Sequence, residues 1–421
     1  MIRPGQSART QVASIAALAA AAVLCGGAPG LAQDAARPAD PDLSTEGTRR
    51  AGPFHLRPFA VLKDVGRDDN IRYDSTARES DTTATTGGGI DALLLAGDRG
   101  GLRLFQELDY VAFQKNRDLD HWNGHARARG ILLLRRLLLS LEDRFDSVRE
   151  RPTADIDERV RRKNDALTAA LRTLGHGRLG LEAYVRGERI DYDAGELASA
   201  LSVRRLNRDE ATLSVLGTAR LLPKTTFLLE GVVSSVVFES PELASDTRKR
   251  ALLWGVRFDP TASVQGDFKV GPMVLEARDR DGADYHGAVG EGHLAARLGR
   301  AARLKGTFDR DVTFSIFQGN LYFVGTSWSA AYEQFLSRHV SGELAYGRTL
   351  DHYPVETVPS IDDPFRGIRD DRLTDYHATV RYRANSQMTI DVSAYRVIRD
   401  STDDFYDRTR NFYTLGATCS F

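Results

Sequence analysis

Leu179, Leu181, Ala183 and Val185 alternate with Gly180, Glu182, Tyr184 and Arg186, and the same two-residue rhythm returns over Tyr376–Tyr382 and Met388–Ala394. A period of two puts successive side chains on opposite faces of an extended strand, so each segment is a ribbon with one apolar face and one polar face. Only Ala13 to Cys25 forms an almost unbroken apolar run. It is shorter than the roughly 18 residues of a spanning helix, and nothing after it comes nearer, which excludes a bundle of membrane helices. The chain is 42% hydrophobic and 27% charged, too apolar for a disordered protein. Its formal net charge of −1 carries no bulk polyanion-binding signature, and no nucleic-acid partner is expected.

The rhythm predicts strands at 54–63, 85–95, 101–114, 122–134, 136–146, 164–174, 178–190, 208–220 and 224–237, then 248–259, 263–278, 287–298, 302–317, 320–335, 339–350, 372–384, 387–399 and 411–421. These eighteen segments are near or above the roughly 9–11 residues that cross a bilayer at a tilt. Joints after even-numbered strands are tight: GDRGG at 97–101, Arg135-Arg136, GHGR at 175–178, LPK at 222–224 and ANSQ at 384–387. Joints after odd-numbered strands are mostly long, as at 64–84, 147–163, 191–207, 279–286, 351–371 and 400–410, with a tight exception at 318–319. A soluble sandwich has no reason to sort loop length by parity. An outer-membrane barrel does, with short periplasmic turns and long extracellular loops. In hydrocarbon every backbone N–H and C=O must pair within the protein, so the sheet must close. The expected fold is therefore all-β: a single closed antiparallel transmembrane barrel of about 18 strands, with 16 as the alternative count.

Arg3 and Arg9, the apolar run and the small-residue exit Gly30-Leu31-Ala32 read as a secretory signal over 1–32, with cleavage after Ala32. Residues 33–52 are expected to be a disordered lead-in and 53–421 the barrel. In the final segment, NFYTLGATCSF, Tyr413, Leu415, Ala417, Cys419 and Phe421 share one face. This ending resembles the C-terminal signal of bacterial outer-membrane barrels, in which a polar residue, a Gly two places on and two terminal apolar residues are read by the barrel-assembly machinery. Thr414, Gly416, Cys419 and Phe421 stand at those places, with Cys419 where a larger apolar residue is usual. The stretch LRPFAVLKDVGRDDNIRYD at 56–74 is similar to the opening of the putative β-barrel porin-2 type of outer-membrane protein, with Asp68, Asp69, Asn70 and Ile71 matching its turn. That resemblance implies one barrel over nearly the whole chain, a place in the bacterial outer membrane, and support for surface-polysaccharide export alongside export components.

If the apolar faces meet lipid, the charged positions line a lumen. Arg103, Glu107 and Asp109 share one face of their strand, as do Glu182, Arg186 and Glu188, and Asp375, Arg381 and Arg383. Bare charges in a dry core are prohibitive, so the lumen is wet or the charges pair across strands. Two functions follow: a conduit whose charges set selectivity, or a wall that ion pairs merely stiffen. Arginines outnumber lysines fifty to seven, and their flat forks suit carboxylates, phosphates and sugar acids, although genomic base composition produces the same bias. Phe54, Tyr110, Trp122, Trp328, Tyr332, Tyr346 and Tyr413 are candidates for aromatic girdles against lipid and lipopolysaccharide.

The presumed outer loops are acidic at Asp64, Asp68, Asp69 and Asp74, at Asp279, Asp281 and Asp284, at Asp362, Asp363, Asp370 and Asp371, and at Asp400, Asp403, Asp404 and Asp407. Clustered carboxylates could hold Ca²⁺ or Mg²⁺, but none has EF-hand spacing, and no other cofactor is expected. No G-x-S-x-G or H-E-x-x-H string occurs, and no Gly-rich loop opens a helix, so an enzyme is not expected. A barrel hydrolase acting on lipid or glycan, and a non-conducting structural or adhesive barrel, are the competing readings. His121 and His125 lie on one side of a strand and could meet a metal, though no third His or carboxylate is fixed beside them in the sequence.

Overall fold

The computed structural model describes residues 45, 48–151, 159–174, 177–193, 203–240, 245–259, 263–278, 284–316, 320–356 and 366–421. A short strand, β1 (Arg49–Ala51), precedes β2 (Phe54–Asp68), β3 (Asp81–Leu95), β4 (Gly100–Phe113), β5 (His121–Leu134), β6 (Leu137–Glu150) and β7 (Val160–Thr173). The wall continues through β8 (Leu179–Asp193), β9 (Arg208–Leu222), β10 (Thr225–Phe238), β11 (Thr247–Phe258), β12 (Val264–Ala277) and β13 (Tyr285–Leu298). It ends with β14 (Ala302–Phe314), β15 (Tyr322–Phe335), β16 (Val340–His352), β17 (Asp370–Arg383), β18 (Met388–Ser401) and β19 (Arg408–Ser420).

Each strand from β2 onward pairs antiparallel with the next, and β19 returns to β2 from Phe412↔Asp68 to Ser420↔Phe59. Eighteen strands thus close a cylinder, and the count of sixteen is set aside. Connections at one end run only from 135–136 to 174–178 in extent, whereas those at the other reach 353–369. The 318–319 exception dissolves: β14 stops at Phe314 and β15 starts at Tyr322, which makes this a loop of ordinary size for its end.

The closing seam needs two adjustments. Residues 54–58 of β2 run past the end of β19, leaving an edge that would have unpaired backbone groups. β1 doubles back to cover it, Arg49 opposite Leu56 and Ala51 opposite Phe54, and the Phe421 N–H donates to the Pro58 carbonyl at 2.9 Å. Within the stretch expected as a free lead-in, residues 49–51 are therefore paired; the signal, with Ala32, lies outside the described residues. Second, β2 shifts register between Lys63 and Gly66 against β3, while β19 shifts between Leu415 and Ala417 against β2. Asp64 takes φ 53° in this bulge, which carries β2 on to Asp68 rather than ending it at 63. A Cβ on Gly66 would lie 1.7 Å from the Tyr413 carbonyl oxygen, so the seam closes only with glycine there.

The two faces differ as the alternation requires. Leu102, Leu104, Leu108, Leu141, Leu213, Leu229, Val380 and Val392 are exposed on the outer face and form the lipid-facing band. Of the proposed girdle residues, Phe54, Trp122, Trp328, Tyr332 and Tyr413 are exposed there too, and Tyr110 and Tyr346 pack beside them at ring distances of 5.0 Å to Trp122 and 5.2 Å to Trp328.

Candidate functional site

Ion pairs identify the inner face. Lys63 on β2 reaches over β3 to Glu107 (2.5 Å) and Asp109 (3.1 Å) on β4. Lys305 on β14 reaches over β15 to Glu343 (2.6 Å) on β16, and Arg257 on β11 reaches Glu182 (2.8 Å) on β8. Side chains converge across an intervening strand only on a concave surface, so these charges line the lumen. Arg103 forms a two-point bond with Asp91 (2.8 and 2.5 Å), and Arg186 with Glu188 (2.9 and 2.8 Å). Lys269 is wedged between Glu230 and Glu291, with Glu230 fully buried.

Most of the sequence-selected lumen residues are therefore spoken for. Asp375 lies against Gly347, where a Cβ would stand 2.3 Å from its carboxylate. Arg381 and Arg383 differ: both are exposed, and among the described residues no ion pair reaches either. They stand on the same face of β17 as Asp375, at its short-turn end. In the terminal strand, Tyr413, Cys419 and Phe421 lie on the outer face and Thr414 and Gly416 on the inner one, Gly416 leaving room for the Asp391 carboxylate. His121 and His125 do not share a ligand: His121 bonds the Leu119 carbonyl (2.7 Å) and His125 the Asp146 carboxylate (2.7 Å).

At the long-loop end two elements fold inward. The Asp68–Ile71 turn is a clasp on β19: Asp68 accepts from Arg410 (2.9 and 2.6 Å), and Asp69 accepts from the Asn411 backbone and side-chain amides (both 2.6 Å). The Asn70 side chain donates to the carbonyls of Asp74 (2.8 Å) and Thr409 (3.1 Å). The loop so fixed packs Ile71 on Phe113 and Leu119, over the inner face of β4. Opposite, pairing between β13 and β14 stops at Gly290↔Arg310 although both strands continue. Beyond that point both faces of the β14–β15 tip are buried, with Val312, Phe314, Leu321, Tyr322 and Phe323 joining inner-face residues Leu253, Met273 and Val289 in one apolar cluster. Val203 and Leu206, from the segment before β9, complete it.

A cavity of about 350 Å³ remains at the mouth, between the clasped loop and the ends of β6, β7 and β19. Arg72, Arg149, Arg151, Arg159 and Arg408 line it beside Ile71, Tyr73, Leu119 and Phe405, with Asp74 as the one carboxylate among the described residues. A larger cavity of about 590 Å³ faces outward between Tyr332, Leu344, Val380 and Tyr413, on the lipid side of the wall. The mouth arginines were not among the sequence-selected positions; their only signal is basic Arg149, Arg151 and Arg159 bracketing a loop in a set of otherwise acidic ones. The loop acids have taken other roles. Asp74 accepts from Thr76 and Ala77 backbone amides (both 2.8 Å), and Asp371 accepts from Arg369, Arg399 and Ser401. Among the described residues no group of three or more His, Cys, Asp or Glu could hold a metal; Asp279, Asp281, Asp362 and Asp363 lie outside them.

No curated protein matches the chain. Among solved structures, it is similar to OpdK of Pseudomonas aeruginosa (11% identity, 87% of this chain and 99% of that one, TM-score 0.45). It is also similar to OccAB3 of Acinetobacter baumannii (8% identity, 87% and 99%, TM-score 0.49) and to OccK2 of P. aeruginosa (12%, 87% and 98%, TM-score 0.48). The family model described as "Putative beta-barrel porin 2" matches residues 40–421. With a closed eighteen-strand wall, an apolar outer band and that match over all the described residues, the chain belongs to this family of bacterial outer-membrane barrels.

Proposed function

We propose that the protein is a passive, selective channel of the outer membrane. The observation that carries this reading is the inner face: it is charged around its circumference and many of its charges are neutralised in pairs, while Arg381 and Arg383 are among the exposed cations that no ion pair reaches among the described residues. Fixed charges at a narrowed wall bias which ions pass. Purified protein in planar bilayers is expected to conduct, and the Arg381→Ala/Arg383→Ala double variant to shift ion selectivity toward cations. A barrel that inserts but does not conduct would overturn the channel reading and leave the fold untouched.

The finer form of this proposal is assistance to surface-polysaccharide export, in company with export components. The arginine forks of the wall support it, because they suit the carboxylates of acidic glycans. Cells lacking the protein should retain the polymer behind the outer membrane; unchanged surface polymer would retire the export role. The apolar band and the outward Phe421 support contact with membrane lipid, lipopolysaccharide and the assembly machinery.

A further inference from the structure

Among the described residues the mouth cavity is lined by five arginines and one carboxylate, and two of the arginines have partners of their own, Arg151 on the Ile71 carbonyl (2.7 Å) and Arg408 on those of Phe405 and Asp407. Arg72 is answered by Glu79 (2.9 Å) and Asp118 (3.3 Å). Among the described residues the Arg149 side chain reaches only carbonyls, those of Arg159 (3.4 Å) and Asp118 (3.3 Å). Asp74, the one lining carboxylate among the described residues, is already turned to Thr76 and Ala77. Arg159 stands out: among the described residues no hydrogen bond or ion pair reaches its guanidinium, whose Nε is buried. The group lies 5.3 Å from the Phe113 ring centroid. Burial, and then the nearby Arg410 charge, push it down to about 10, so it remains charged at neutral pH. A half-buried cation that no carboxylate touches is held at a cost that an incoming anion would reduce.

The shape of the site narrows the ligand. Guanidinium forks match a carboxylate with two parallel N–H donors. Tyr73 and Phe405, with Ile71 and Leu119 beside them, offer flat and apolar surface for the body that carries the acid. At about 350 Å³ the cavity lies at the small end of ligand pockets. We infer that this cavity binds an organic anion consisting of a carboxylate on a single ring, at the outer mouth of the barrel. The inference rests on the channel reading, of which it names the substrate class. Sugar acids and aromatic acids share that chemistry, and the test separates them.

Titration calorimetry on the purified full-length protein in detergent would use glucuronate and benzoate, with glucose, benzyl alcohol and inorganic phosphate as comparators. At least one acid is expected to bind, tenfold or more tightly than its uncharged counterpart, and whichever acid binds identifies the source. Arg159→Gln should weaken that acid at least tenfold, with Arg159→Lys intermediate, while Arg99→Gln, in the short turn before β4 at the other end of the barrel, leaves it unchanged. Heat-modifiable migration would confirm that each variant is folded. Binding of neither acid, phosphate binding as tightly as the acid, or indifference of acid binding to both Arg159 variants would each overturn the inference. Conductance without acid binding refutes this site and spares the channel; acid binding by a non-conducting barrel does the reverse.

Discussion

Glu230 and Lys269 face each other in a fully buried part of the inner wall, and Glu291 holds the other side of the ammonium at 2.6 Å. Removing one partner of such a set leaves an uncompensated charge away from water. Lys269→Met should therefore lower stability by about 3–5 kcal/mol, seen as an earlier urea midpoint; an unchanged midpoint would show that water already reaches the pair. Asp74 works more locally. Backbone N–H groups of Ala77 and Thr76 hold its carboxyl below the usual carboxylate range. Its contribution is thus present above the ordinary carboxyl pKa and lost as pH falls through the lowered folded value. Asp74→Ala should loosen the clasped loop by about 1 kcal/mol, whereas Asp74→Asn keeps an acceptor oxygen and should cost less. Amide exchange at Thr76 and Ala77, corrected for intrinsic rate, measures both, and acid should raise it in the unmodified protein. At this scale the sequence is informative about faces and poor about partners. Arg103, Glu107 and Glu182 were legible as lumen residues, but Lys63 and Arg257 come from two or three strands away, at a distance that depends on curvature. The mouth arginines were hidden for the same reason, since loops far apart in sequence assemble them.

At the scale of elements, alternation located every strand of the wall, and loop parity sorted its two ends. Both signals fail where a strand has no lipid face. Val312, Phe314, Leu321 and Phe323 are apolar because the β14–β15 tip is packed inside the mouth, so the pattern runs on through 302–317 and 320–335 as if the strands were longer. β1 was likewise invisible: three residues covering an edge leave no periodic trace, and the need for them appears only once β2 is seen to outrun β19. The Asp68–Ile71 turn was legible as a motif but not as a fastener between the first and last barrel strands. If the tip narrows the mouth, its apolar anchor is the part to weaken. Phe314→Ser/Tyr322→Ser should release it and raise single-channel conductance, with the ion selectivity set near Arg381 and Arg383 preserved. Conductance equal to that of the unmodified protein would mean that the tip does not limit flow.

For the whole molecule, closure follows from the solvent. A sheet in hydrocarbon tolerates no free edge, and the β19–β2 seam, with its bulge at Asp64 and its glycine at position 66, meets that demand. The central claim is that along the barrel wall one face of the strands meets lipid and the other faces the lumen. Substituted-cysteine labelling tests it most directly, in a Cys419→Ser background with protein reconstituted in liposomes. Single cysteines at Val380, Arg381, Tyr382 and Arg383 would be challenged with a membrane-impermeant thiol reagent. The account predicts labelling at 381 and 383 and protection at 380 and 382. Uniform labelling along the strand, or protection at 381 and 383 with reaction at 380 and 382, would contradict it.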